Sequence, residues 1–186
     1  MCIATATASE LVSVAMEHCG LYEYFPKVFS CGDIGKGKDQ PDIFLQAAAW
    51  LGERMAASVL ARPFFACADV VIPVPLHAQR LEQRGYNQSL LLSQELCSHT
   101  GQPLLADGLI RSRNTGTQVG RTREERLHAL RGAFAVSSPS AVNGKRILLV
   151  DDVLTTGATA IACAEALWWT GAVSVSLATA CRAQRD

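Results

Sequence analysis

No stretch of this chain stays apolar for the roughly twenty residues that a membrane-spanning helix needs, and its N-terminus has no basic segment followed by an apolar one. A soluble, cytoplasmic protein without a membrane span is therefore expected. The seven cysteines, at Cys2, Cys19, Cys31, Cys67, Cys97, Cys163 and Cys181, never fall in C-x-x-C spacing. Neither a zinc site nor a disulfide framework is expected, and the thiols are predicted to be reduced and mostly buried. Internal repeats and low-complexity tracts are absent. So is net charge, because 17 Lys and Arg balance 17 Asp and Glu.

That balance hides an asymmetry. Residues 1 to 62 carry five cations and seven acids, whereas residues 63 to 186 carry twelve and ten, and eleven of those twelve cations are arginine. Arginine grips phosphate in a bidentate fork, so the second part is suited to compact anions. At 186 residues, 49% of them hydrophobic, the chain suits one domain with or without an appendage.

The most informative stretch is ILLVDDVLTTGAT, residues 147 to 159. Ile147, Leu148, Leu149 and Val150 read as a central parallel strand covered on both faces, ending at Asp151 and Asp152. Ligands of open α/β sheets sit outside the carboxyl ends of the strands, so these two carboxylates face a site. They suit sugar hydroxyls and Mg²⁺. Thr155, Thr156, Gly157, Ala158 and Thr159 then open a helix, presenting N–H groups, hydroxyls and a positive dipole end to one phosphate. Two other readings stand beside this one: an ordinary capped turn with Thr155 or Thr156 as the N-cap, or the late acidic motif of a haloacid dehalogenase-type phosphatase.

Taken in order, the chain reads as a short strand (2 to 4), a helix (9 to 19), a strand (28 to 31), a Gly/Lys loop, and a helix from about residue 41 through 60. A strand follows at 68 to 74, with Pro73 and Pro75 bracketing its end. The polar, basic segment PLHAQRLEQRGYNQS leads into a helix from 88 to 99, whose Leu90, Leu91, Leu92 and Leu96 supply a core face. Leu109 and Ile110 suggest a short strand, and SRNTGTQVGRTREER a mobile loop. A strand at 133 to 136, a turn through SSPSAVNG, the central strand, its helix to Trp169 and a last strand at 173 to 180 complete the chain.

Two resemblances overlie this pattern. IATATASELV and GLYEYFPKVFSCGDIGKGKDQPDIFLQAAAWLG resemble the segments carrying the second and third motifs of haloacid dehalogenase-type phosphatases, with Thr5 and Lys38 at the positions of the phosphate-contacting hydroxyl and the lysine. The nucleophilic aspartate of that family has no counterpart here, so residues 1 to 50 are expected to be an incomplete, inactive fragment. Residues 51 to 186 form the second region. From about 51 to 183 it resembles the ComF family through four blocks in order: DVVIPVPLHAQRLEQRGYNQS, RSRNTGTQVGRTREERLHALRGAF, ILLVDDVLTTGATA and a final strand ending in Cys-Arg. This resemblance also makes ILLVDDVLTTGAT similar to the 5-phosphoribosyl-1-pyrophosphate (PRPP) loop of type I phosphoribosyltransferases.

The ComF resemblance implies an α/β fold, a parallel sheet flanked by helices as in type I phosphoribosyltransferases. It places Asp151 and Asp152 at the ribose hydroxyls with Mg²⁺ nearby, and Thr155, Thr156, Gly157, Ala158 and Thr159 around the 5-phosphate. Pro75, Leu76 and His77 would form the pyrophosphate loop, with Asn87 beside it and with Arg80 and Arg84, four residues apart, on one helical face to charge-pair with the leaving group as catalytic residues. Gln118, Arg121 and Arg123 would belong to a closing loop. Where the family commonly has an asparagine this chain has Ala129.

Three functions follow as expectations. One is Mg²⁺-dependent transfer of a phosphoribosyl group from PRPP to a nitrogenous acceptor. Another is a non-catalytic accessory role in DNA uptake, with the arginines gripping a nucleotide, single-stranded DNA or a competence helicase, although Tyr86 is nearly alone as a stacking platform. The third, phosphatase activity from residues 1 to 50, is a rival for which no turnover is expected, because the nucleophile is missing. Neither the acceptor nor the oligomeric state is specified, and Trp168 and Trp169 suit an interface as well as a core.

Overall fold

The computed structural model describes residues 2–5, 9–19, 27–34, 42–113, 129–130 and 132–182. Lys38, Gln118, Arg121 and Arg123 lie outside the described residues. The chain separates into two compact units, Met1–Leu51 and Gly52–Asp186.

In the first unit, β1 (Cys2–Thr5) pairs in parallel with β2 (Lys27–Ser30), joined through α1 (Ser9–His18). Thr5 is the last residue of β1 and aligns with Ser30. A one-turn helix α2 (Cys31–Ile34) stands where the Gly/Lys loop was expected to begin. Phe29, Cys31, Ile43 and Ala47 form the small core, with Phe44 and Trp50 packed against it. The last four come from α3 (Asp42–Leu60).

The second unit is built on a parallel sheet in the order β3 (Val70–Pro73), β6 (Arg146–Leu154), β7 (Ser174–Arg182). A parallel bridge from Val71 to Leu104 extends it beyond β3. Val71, Ile72 and all of Ile147 to Val150 are at most 1% exposed, as continuous apolar runs in a doubly covered sheet should be. Alternation along the strands sends Ile72, Ile147 and Leu149 into one cluster with Ala158, Ala162, Cys163 and Leu167 of α8 (Ala158–Trp169). Their neighbours Val71, Leu148 and Val150 point the other way, toward α6 (Gln88–Thr100), which packs on β3 and β6. This is an α/β fold, a parallel sheet with α8 and α6 packed against its strands. Around it stand α4 (Pro63–Ala66), α5 (Ala78–Arg84), and an antiparallel hairpin of β4 (Leu109–Arg111) and β5 (Phe134–Val136).

The structure revises four expectations. β6 does not stop at the acids but runs on to Leu154, because β7 continues alongside it and pairs Asp151 with Thr179 and Leu154 with Arg182. The SSPSAVNG segment contains a helical turn, α7 (Pro139–Val142), whose proline sits in its first turn and whose Val142 is fully buried. The interior face of α6 is Ser89, Leu92, Ser93 and Leu96, so Leu90 and Leu91 are not its core residues. Finally, only Cys31 and Cys163 of the six described thiols are buried, while Cys19 and Cys67 are exposed.

Trp168 and Trp169 are 58% and 91% exposed at the end of α8.

Candidate functional site

The carboxyl ends of β3 and β6 lie side by side, joined where the Val74 N–H donates to the Val150 carbonyl at 2.8 Å. Everything that the sequence singled out around residues 75 and 151 issues from this edge. Asp151 is half-buried there, and its Oδ1 accepts two hydrogen bonds, from Ser89 Oγ at 3.0 Å and from the Asp152 N–H at 2.9 Å. Burial pushes its carboxyl up to about 7, the Asp152 charge adds to this, and the Ser89 hydrogen bond opposes it. Asp152 is also half-buried, with Oδ1 accepting from the Val153 N–H at 2.8 Å. Two adjacent acids that raise the proton affinity of one of them make a site that gains from a cation or from hydroxyl donors.

Beyond them the chain turns into α8 at Gly157, whose φ of 78° lies in the left-handed region. Gly157 is the N-cap and offers no side chain, so the first-turn N–H groups of α8 are left mainly to an outside acceptor. The one local contact is weak: the Ala158 N–H reaches Thr156 Oγ1 at 3.4 Å. Thr155 is exposed and Thr159 half-buried. This arrangement can receive a phosphate.

On the β3 side, Pro75, Leu76 and His77 form the connection into α5. His77 caps that helix, its Nδ1 accepting from the Gln79 N–H at 3.3 Å, and its backbone bridges in parallel to Arg111. Arg80 and Arg84 both lie on α5, one turn apart as expected, but Arg80 is half-buried and Arg84 is exposed at the helix end. Asn87 ties two elements together. It donates from Nδ2 to the Val74 carbonyl at 3.0 Å and accepts at Oδ1 from the Ser89 N–H at 3.0 Å, capping α6. Its amide thus fixes the strand end relative to the helix that carries Ser89.

Two residues escaped the sequence reading. Ser89 is 4% exposed and holds Asp151 from a helix 62 positions earlier. Its trace was the spacing of Ser89, Leu92, Ser93 and Leu96, a core stripe with two hydroxyls in it. Arg111 entered only as one cation among many. It is half-buried over the Phe134 ring, at 5.5 Å, and burial followed by the nearby Arg80 charge lowers its proton affinity. Burial first, and then the Asp151 charge, push the Cys163 thiol up, while Arg111 opposes them.

Comparison with known proteins finds relatives of the chain. The chain is 41% identical over 92 residues to competence protein F of Haemophilus influenzae, covering 49% of this chain and 40% of that one. It is 36% identical over 114 residues to the DNA utilization protein YhgH of Escherichia coli strain K12, covering 61% and 49% respectively. Competence protein ComFC of Bacillus subtilis is 35% identical over 114 residues, covering 61% of this chain and 44% of that one. The chain therefore spans less than half the length of these relatives. Among solved structures, glutamine PRPP amidotransferase from B. subtilis, complexed with ADP and GMP, superposes with a TM-score of 0.51 at 25% identity, over 73% of this chain and 26% of that one. The sequence profile described as phosphoribosyl transferase domain matches residues 87–186, more than half of the chain and the whole run from the Asn87 cap to the acids and the phosphate-type loop. The chain accordingly belongs to the phosphoribosyl transferase domain family.

Proposed function

We propose that this protein binds PRPP together with Mg²⁺ and transfers its phosphoribosyl group to a nitrogenous acceptor. The observation that carries this reading is the convergence of Asp151, Asp152 and the uncapped start of α8 beside the 75–77 connection. In it, Asp151 and Asp152 accept hydrogen bonds from the ribose hydroxyls, while Thr155, Thr156, Gly157, Ala158 and Thr159 surround the 5-phosphate. The pyrophosphate lies along Pro75, Leu76 and His77 with Arg80 nearby. As the bond from C1 to the pyrophosphate oxygen breaks, positive charge develops on the ribose ring, and the acids beside it favour that charge electrostatically. Arg80 offsets the charge that accumulates on the leaving group. Gln118, Arg121 and Arg123 would shield this step from water.

The donor set fits Mg²⁺. Among the described residues no group of three or more His, Cys, Asp and Glu could hold a metal ion. Mg²⁺ is commonly held by one or two carboxylates with substrate phosphates and water, which matches Asp151 and Asp152. When bound, the ion supplies neutralisation of the pyrophosphate.

Melting in the presence of PRPP and Mg²⁺ tests the reading. Saturation at about 100 times the dissociation constant corresponds to about 2.7 kcal/mol of stabilisation, a plain rise in Tm. Asp151→Ala plus Asp152→Ala removes the rise, and a wild-type protein that shows none sinks the proposal. Transfer is then read as pyrophosphate release on adding candidate nitrogenous acceptors.

A second reading draws on the arginines at Arg80, Arg84, Arg111, Arg113, Arg121 and Arg123 in the sequence and on relatives named for competence and DNA utilization. Here the same fold serves DNA uptake without catalysis, holding a nucleotide, single-stranded DNA or a helicase. Salt-dependent retention on an oligonucleotide supports it, and absence of binding at low salt counts against it.

A further inference from the structure

A cavity of about 530 Å³ opens between α5, α6 and β4. Among the described residues, none of its lining comes from β6, from the 155–159 loop or from α8, so it is distinct from the acid-pair site. It lies on the flank of β3 where residues 104 to 111 run, and it adjoins the other site through Pro75, Leu76 and Asn87 and through the bridge from His77 to Arg111.

Its walls are apolar for a structural reason. With Ser89, Leu92, Ser93 and Leu96 turned into the core, α6 presents a second face made of Leu90, Leu91 and Gln94, and these line the cavity. Leu81 of α5 and Ile110 of β4 line it too, at 42% and 48% exposure. Four large aliphatic side chains thus surround one concavity of a size typical of small-molecule sites. The charged groups in the lining are Arg111 and Asp107. Asp107 is exposed and water-screened, whereas Arg111 is half-buried against Phe134. Arg80 is close enough to repel it. An anion beside Arg111 meets the guanidinium in a partly dry setting, where a charge-assisted hydrogen bond is strong.

We propose that this cavity is a second ligand site, for a small apolar acid whose ring or chain packs between Leu81, Leu90, Leu91 and Ile110 and whose carboxylate meets Arg111. It does not depend on phosphoribosyl chemistry. Such a ligand would press on the Pro75–Leu76 connection and on Asn87, whose amide spans Val74 and Ser89.

The test is calorimetric titration of the full chain with 1-naphthoate. A saturable one-to-one isotherm is expected. Two substitutions at exposed lining positions, Ile110→Trp and Gln94→Trp, fill the cavity and abolish binding, while Arg111→Gln weakens it about tenfold, the value of one charge-assisted hydrogen bond. The isotherm stays in place in Asp151→Ala plus Asp152→Ala. The proposal is overturned by absence of saturable heat or by undiminished binding in both tryptophan variants. Unchanged affinity in Arg111→Gln overturns it as well, as does loss of binding in Asp151→Ala plus Asp152→Ala, which would place the naphthoate at the acid pair.

Discussion

Asp151 is held between opposing influences, and its neighbours decide which one wins. Burial and Asp152 favour its protonated form, while Ser89 and the Asp152 N–H favour the anion. Its carboxyl is raised from the usual carboxylate range to about 7, so the folded chain binds this proton more tightly than the unfolded chain does. Folding stability from this group is full below the unfolded value of about 4 and is lost as pH rises toward 7. Asp151→Asn, which cannot ionise, should therefore raise Tm over the wild type at pH 8 in metal-free buffer and lose that advantage at pH 5. Ser89→Ala takes a buried donor from the carboxylate and should cost about 1 to 3 kcal/mol in urea unfolding while weakening PRPP-dependent stabilisation. The acids were legible in the sequence because they end an apolar run. Ser89 was not, since a serine among leucines gains meaning only when its helix is placed against β6.

Gly157 shows how an element's start is tied to the site. A φ of 78° is strained for any side chain, and an added Cβ would meet nothing closer than Leu154 Cδ1 at 3.9 Å. The cost of Gly157→Ala is thus backbone strain alone, about 1 to 2 kcal/mol, and it should fall on both Tm and phosphate affinity. At the opposite end of the sheet, Arg146 and Asp69 clamp the starts of β6 and β3. The backbone N–H and the guanidinium of Arg146 both donate to the carboxylate, at 2.7 to 3.1 Å, which holds Asp69 well below the usual carboxylate range. A depressed acid stabilises the fold above its unfolded value of about 4 and loses that contribution as pH falls further. Asp69→Asn should therefore lower Tm at pH 7, with the gap to wild type closing in the acid range. Helices 9–18, 88–100 and 158–169 were legible because their residue patterns are local. The length of β6 was not, since its last four residues are strand only because β7 runs beside them.

For the whole chain, the even count of 17 cations and 17 acids and a pI near 6.9 leave little mutual repulsion between molecules at neutral pH. Turbidity at low ionic strength should peak near pH 7 and fall on either side. The parallel α/β class, the phosphate-type loop and the acid pair were fixed by short-range features: an uninterrupted apolar run, adjacent carboxylates, and small residues opening a helix. These act over a few residues and leave a readable trace. Tertiary structure alone decided that Ser89 reaches Asp151 across 62 positions, that Asn87 spans Val74 and α6, and that Leu90 and Leu91 face a cavity instead of the core. Such neighbours depend on strand order, register and helix rotation, which are set by the packing of the assembled sheet and helices and not by any one segment.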